Sequence, residues 1–424
     1  MSKNLDGIVA RIRDVRAQKC PVIEKNLQKI DALLAAIRDT RGRASAVAAR
    51  YPGLKTSLQS VSFTDAENRL LEARAACETA LTRLHRDSIN ISIMGGVHQG
   101  KSLLVQTITG IKEWLFPFYE GGNIEARSMV RNGDTESATV FYLTETELLQ
   151  RTICPCYEPI GTNSVALGLG NPPCSIADFI HQPLPSVPET PSAFALDNWT
   201  RVMELHEQFK DNPSLVLKLG SPPESVSLDA IRTCLVAHDK ETSLLLVDHI
   251  EIVTPFDLDL PHEISVRELS SPWLCSPMSP AEVKKCVFDD TDIVLIVRRP
   301  VSTGDAWCLD DICLLDMLKS IYPTDVIEPK DWIQFVLDLD RRPASNNEKI
   351  VKLMKENAPH GFSPVVCDCA AKEDVRALLE MAVVPLLEQV GRIDDFRINQ
   401  FEKAFRTGCA AAERLQTALL HEMS

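Results

Sequence analysis

The residues with the clearest capacity for chemistry are Gly95-Gly96-Val97-His98-Gln99-Gly100-Lys101-Ser102, which fit the spacing G-x-x-x-x-G-K-[ST]. Glycines in such a loop let successive backbone N–H groups turn toward an anion, and the lysine brings a cation to the anion's outer oxygens. The Ser102 hydroxyl is an oxygen ligand suited to Mg²⁺. These groups converge only if an element holds each end of the loop. The apolar run Ile89 to Met94 predicts a strand before it, and Ser102 to Ile108 predicts a helix after it, whose N-terminus favours negative charge. The predicted contacts to a nucleoside triphosphate therefore run from Gly95 through Leu103, with Mg²⁺ at Ser102.

The elements that must carry this loop are legible from periodicity. Ile23, Leu27, Ile30, Leu34 and Ile37 recur at helical spacing, with Pro21 as an expected kink. A second helix is expected from about Thr64 to Leu84 after the break Tyr51-Pro52-Gly53, with Leu70, Cys77, Leu81 and Leu84 on one face. Ile398, Phe401, Phe405, Ala412, Leu415 and Leu419 give a third apolar stripe at the C-terminal end, and bundling the three is the simplest way to bury them. Between them, strand-like runs alternate with helical segments: Ile89 to Met94, Thr139 to Leu143, Ser243 to Val253, Glu263 to Val266, Asp292 to Val297, Trp332 to Leu337 and Pro364 to Cys367. The expected fold is an α/β P-loop domain with a mostly parallel sheet, plus a helical bundle from both chain ends. Its parts are a helical hairpin over 1–87, a P-loop domain over 88–391 with a proline-rich insertion at about 148–241, and a C-terminal helix over 392–424.

That order of hairpin, P-loop domain and C-terminal helix resembles the bacterial dynamin-like large GTPases, including the virulence-factor SrfC type. Within the resemblance, Asp292 to Val297 looks like the strand after switch II, and Phe335-Val336-Leu337-Asp338-Leu339-Asp340 lies where the family has its N/T-K-x-D base-reading motif. Asp340 is then the implied guanine-reading carboxylate, with Leu337 and Asp338 replacing the asparagine or threonine and the lysine. Cys369-Ala370-Ala371-Lys372 resembles the S-A-K loop, which implies base contacts from Cys369 and Ala370. The switch II position reads Glu268-Leu269-Ser270-Ser271, without the D-x-x-G glycine. Val97 occupies the place of the dynamin catalytic glutamine, leaving His98 or Gln99 as nearby candidates and no assigned catalytic residue. Switch I falls near Gly121 to Val130, which holds no threonine; Ala126 and Ser128 are the nearest alignments. The resemblance implies GTP in preference to ATP, slow hydrolysis, and nucleotide-dependent pairing of two copies or with a partner protein. A nucleotide-binding scaffold without hydrolysis stands as the alternative.

A further alternative takes Leu244-Leu245-Leu246-Val247-Asp248 as a strand ending in a Walker B aspartate of an ATP-binding protein. Against it, the strand pattern continues through Val253 and turns at Asp257 to Pro261 into the next strand, as a hairpin does. Cys154/Cys156 and Cys367/Cys369 have the wrong spacing for a zinc knuckle, and Arg298-Arg299 reads as a solvated face. A net charge of −14 opposes bulk binding of nucleic acid or anionic lipid, so no nucleic acid is expected and peripheral membrane contact has no support. Thirteen cysteines without a signal-like opening fit a reducing cytoplasm, and no apolar run approaches the roughly 20 residues of a membrane span.

Overall fold

A computed structural model describes residues 2–51, 53, 62–96, 99–111, 127–154, 172–182, 184, 193–228, 230–231, 246–270, 280–300, 307–339 and 347–423. The chain forms two compact units, one of Met1–Asp6 with Ser88–Leu387 and one of Gly7–Asp87 with Glu388–Ser424.

The first unit is a mixed α/β domain around a nine-stranded sheet. Its strands are β1 (Ile89–Gly95), β2 (Arg127–Asn132), β3 (Ser137–Tyr142), β4 (Glu224–Val226), β5 (Val247–Thr254), β6 (Ile264–Ser270), β7 (Ile293–Arg298), β8 (Ile333–Asp338) and β9 (Val365–Cys367). They lie in the order β4-β3-β5-β2-β6-β1-β7-β8-β9. Five of the eight neighbouring pairs are parallel, and β2–β6, β3–β4 and β3–β5 are antiparallel. Every residue of β1 and β7 is buried, the signature of central strands covered on both faces. The polar interruptions Asn90 and Ser92 in β1 are satisfied: Asn90 N–H donates to Asp292 at 2.8 Å, and the Ser92 hydroxyl lies 2.7 Å from that of Thr291.

Several strands depart from the sequence expectation, among them β2 and the edge strand β4, which no strand-like run announced. The run beginning at Ser243 is described as a strand only from Val247, because 241–245 lie outside the described residues. Nor do β5 and β6 form a hairpin, since β2 runs between them, parallel to β5 and antiparallel to β6. The polar sequence Arg127-Ser128-Met129-Val130-Arg131-Asn132 hides β2 from a hydrophobicity reading, while its main chain supplies the missing partner for both neighbours.

The helices of this unit include α3 (Lys101–Thr109), α4 (Ile176–His181), α5 (Ala193–Asp211), α6 (Pro280–Asp290), α7 (Leu309–Lys319), α8 (Asn347–Glu356) and α9 (Lys372–Leu378), numbered after two N-terminal ones. Helix α3 starts one residue earlier and ends one later than Ser102 to Ile108. The insertion builds a core of its own, in which Phe179 of α4 and Val202, Leu205 and Phe209 of α5 close over Leu143, Leu148 and Leu246.

The second unit joins α1 (Ser2–Arg50, from Gly7 onward), α2 (Phe63–Leu84) and α10 (Val390–Met423). Ile23, Ile30, Leu34 and Ile37 share one buried cluster with Leu70, Cys77, Leu81 and Leu84 and with Phe401 and Leu415. Helix α1 runs unbroken through Pro21, which lies on an exposed position. Within this core Asp394 accepts from Arg16 Nε at 2.8 Å and from Arg83 Nε at 2.6 Å, all three side chains being 1% exposed.

Candidate nucleotide-binding site

The loop between β1 and α3 is shaped by its glycines. Gly95 has φ +143°, and a Cβ there would meet the Val297 carbonyl of β7; Gly100 has φ +95°, and a Cβ there would meet the Asp338 carboxylate. Both positions demand a residue without a side chain, on conformation and on space. Val97 and His98 lie outside the described residues, so the middle of the loop is not described here.

Lys101 is 6% exposed, and its ammonium donates to the Gly96 carbonyl at 2.7 Å, folding back over its own loop. The Ser102 hydroxyl donates to Glu268 Oε1 at 3.0 Å, and the same oxygen lies 4.0 Å from Lys101 Nζ. Glu268 stands level with Ile93 of β1 on the adjacent parallel strand, which is why a residue 166 positions away reaches the start of α3. Its other oxygen, Oε2, is buried and has no hydrogen bond among the described residues. Burial pushes the Lys101 ammonium below its ordinary value, with the Glu268 charge opposing. Burial likewise pushes the Glu268 carboxyl up, against Lys101 and Ser102. A site in which both charged forms are disfavoured by desolvation gains from an added anion beside Lys101 and an added cation beside Glu268.

The switch II residues expected after the strand are thus partly inside it: Glu268 to Ser270 belong to β6. The position lacks the D-x-x-G glycine but carries a carboxylate, Glu268. A signal was present, since the run from Ile264 has an acidic residue at its carboxyl end, where an α/β sheet binds ligands. Ser128, sought in a switch loop, is buried in β2 directly opposite Glu268. Asp248 is the second residue of β5, three strands from β1 and so roughly 14 Å away at about 4.8 Å per strand. Its carboxylate pairs with His249 Nδ1 at 2.7 Å, well removed from the loop.

Gln99 makes a contact beyond its own loop, to the end of β7. Its side-chain oxygen accepts from Arg299 N–H at 2.8 Å. Arg299 Nε donates to Asp338 Oδ2 at 2.7 Å, and Cys369 N–H donates to Asp338 Oδ1 at 3.0 Å. Arg298-Arg299 is accordingly no solvated face: Arg298 is buried with Nε 3.5 Å from Asp311, and the Arg299 side chain is 13% exposed. Cys369 is buried, Ala370 is exposed with its N–H bound to Asp368, and Leu103 is half-buried in the first turn of α3. Asp340 and 341–346 lie outside the described residues, as does Ala126.

Among the described residues no cluster of three or more His, Cys, Asp or Glu side chains is placed to hold a metal, and no helix is long and apolar enough to cross a membrane. No protein-family model and no curated protein matches the chain. Among solved structures, one described as an oligomerised bacterial dynamin pair with a mechanism for long-range sensing and tethering of membranes is similar at 14% identity and a TM-score of 0.39, over 93% of this chain and 56% of that one. A second of the same description is similar at 13% identity and a TM-score of 0.37, over 95% of this chain and 55% of that one. The chain spans a little over half the length of those structures.

Proposed function

We propose that the chain binds a nucleoside triphosphate with Mg²⁺ at the β1–α3 loop, takes GTP in preference to ATP, and acts as a dynamin-like, nucleotide-dependent switch. The observation that carries the reading is the convergence of Lys101, Ser102 and Glu268 beneath a glycine-shaped loop. Lys101 exchanges the Gly96 carbonyl for a phosphate oxygen, which frees the loop to present its N–H groups. The donor set fits the metal: a hydroxyl and a carboxylate, with one buried carboxylate oxygen lacking a hydrogen bond among the described residues, are hard oxygen ligands. Ser102 would hold Mg²⁺ and Glu268 would orient it, the ion supplying charge neutralisation at the β and γ oxygens. The same geometry favours Glu268 over Asp248 as the acidic partner, and with it GTPase-like over ATPase-like organisation.

Binding of a labelled triphosphate by the purified protein, with and without Mg²⁺, tests the reading. Lys101→Ala removes a charge-assisted contact of about 1.5–3 kcal/mol, so affinity should fall about tenfold or more. Equal affinity in wild type and variant would sink it. The scaffold reading, firm binding without turnover, is favoured by one observation: the side-chain oxygen of Gln99, one of the two candidates for orienting a water, is held by Arg299 N–H.

A further inference from the structure

In an open α/β sheet the ligand crevice lies outside the carboxyl ends of the strands, where the strand order reverses. Here the reversal is at β1: the chain runs first to β6 on one side and then crosses to β7 on the other. The loop after β1 is the phosphate cradle, and the first residue after β7 is Arg299. Its terminal Nη2 comes within 3.4 Å of the place a Cβ on Gly100 would occupy, so the guanidinium lies against the loop itself. Asp338, 1% exposed, grips Arg299 with one oxygen and the Cys369 N–H with the other, tying together the ends of β7, β8 and β9. Asp338 is also the position at which the chain carries an acid in place of the motif's lysine, and Arg299 returns the lost cation from a different strand.

From this geometry we infer that Arg299 is a specificity-determining residue on the base side of the nucleotide site, presenting guanidinium N–H donors to the acceptor edge of guanine, with Asp338 as its positioning residue. Guanine offers two acceptors on that edge, O6 and N7, which match the planar fork of an arginine; adenine replaces O6 with an amine donor and meets the fork donor to donor. The inference rests on the triphosphate reading above and adds to it the group that selects the base.

Competition of a labelled GTP analogue by GTP, ITP and ATP on the full chain in Mg²⁺ tests it. Inosine keeps O6 and N7 but lacks the 2-amine that the implied Asp340 carboxylate would bind, so ITP should fall between GTP and ATP, with ATP about tenfold or more below GTP. Arg299→Ala should collapse the GTP/ATP ratio toward one while leaving ATP affinity in place, and Arg299→Lys should restore part of it. Because Arg299→Ala leaves a buried carboxylate behind, the double variant Arg299→Ala/Asp338→Asn removes both charges, keeps the acceptor for Cys369 N–H, and should show the same collapse. An unmoved GTP/ATP ratio in that double variant, or an ITP/ATP ratio that Arg299→Ala leaves unmoved, overturns the inference while the triphosphate reading survives. A wild type that binds none of the three overturns both.

Discussion

At the scale of the residue, the site is built from groups that are poorly solvated in the free protein. Glu268 is the clearest case, since burial raises its carboxyl above the ordinary value. A raised folded-state value means that the folded chain holds the proton more firmly than the unfolded one. The contribution to stability is therefore present below the unfolded value and is lost as pH rises through the folded value. Glu268→Gln imitates the protonated form at every pH. Nucleotide-free Glu268→Gln should match wild type in thermal unfolding at acid pH and exceed it toward neutrality. A variant less stable than wild type at neutral pH would show that the Glu268 charge supports the free fold. The same substitution should raise the Mg²⁺ concentration needed for triphosphate binding by roughly tenfold or more, the usual cost of losing a group that orients a metal ligand.

At the scale of the element, the bundle contains two features with opposite sensitivities. Asp394 holds both Arg16 and Arg83 in a buried setting, so Asp394→Ala removes the carboxylate that two buried arginines share and should destabilise the protein by about 3–5 kcal/mol in denaturant unfolding. A loss under 1 kcal/mol would mean that the arginines find other partners. Where α2 and α10 approach, a Cβ on Gly408 would lie 2.9 Å from Leu70 Cδ2 and 3.3 Å from the Arg69 carbonyl. Gly408→Leu overpacks that contact and should cost about 1–3 kcal/mol, read in the same titration. These two cases also mark what sequence could yield. Apolar periodicity reported the buried stripes, from Ile30 to Leu70 to Phe401, because burial acts on side chains one at a time. It was silent on Arg16, Asp394 and Arg299, whose placement depends on partners far along the chain or on a neighbouring strand. The cradle glycines were legible because backbone geometry admits nothing else at Gly95 and Gly100; Glu268 and β2 were not, because cross-strand register is a property of the assembled sheet.

At the scale of the whole molecule, turnover is the open quantity. Phosphoryl transfer is catalysed by positioning and charge, which the described cradle supplies through Lys101, Ser102 and Glu268, while the Gln99 side-chain oxygen is held by Arg299 N–H. If hydrolysis occurs, the group that orients the water comes from His98 or Gln99 of the chain itself or from a second copy or partner protein, and we expect the latter. Single-turnover rates should then rise with protein concentration. A fast rate that does not change with concentration would place the group within one chain.

The sheet that carries the site ends on either side in a strand of three residues, Glu224–Val226 and Val365–Cys367. An edge that short offers an incoming strand only two or three ladder hydrogen bonds, too few to template a foreign chain. A nine-stranded hydrophobic sheet is in general an aggregation hazard, and here the described edges are blunted by brevity, with Glu224 adding a charge on one of them. The described edges of this domain therefore give a second copy little to extend by strand addition.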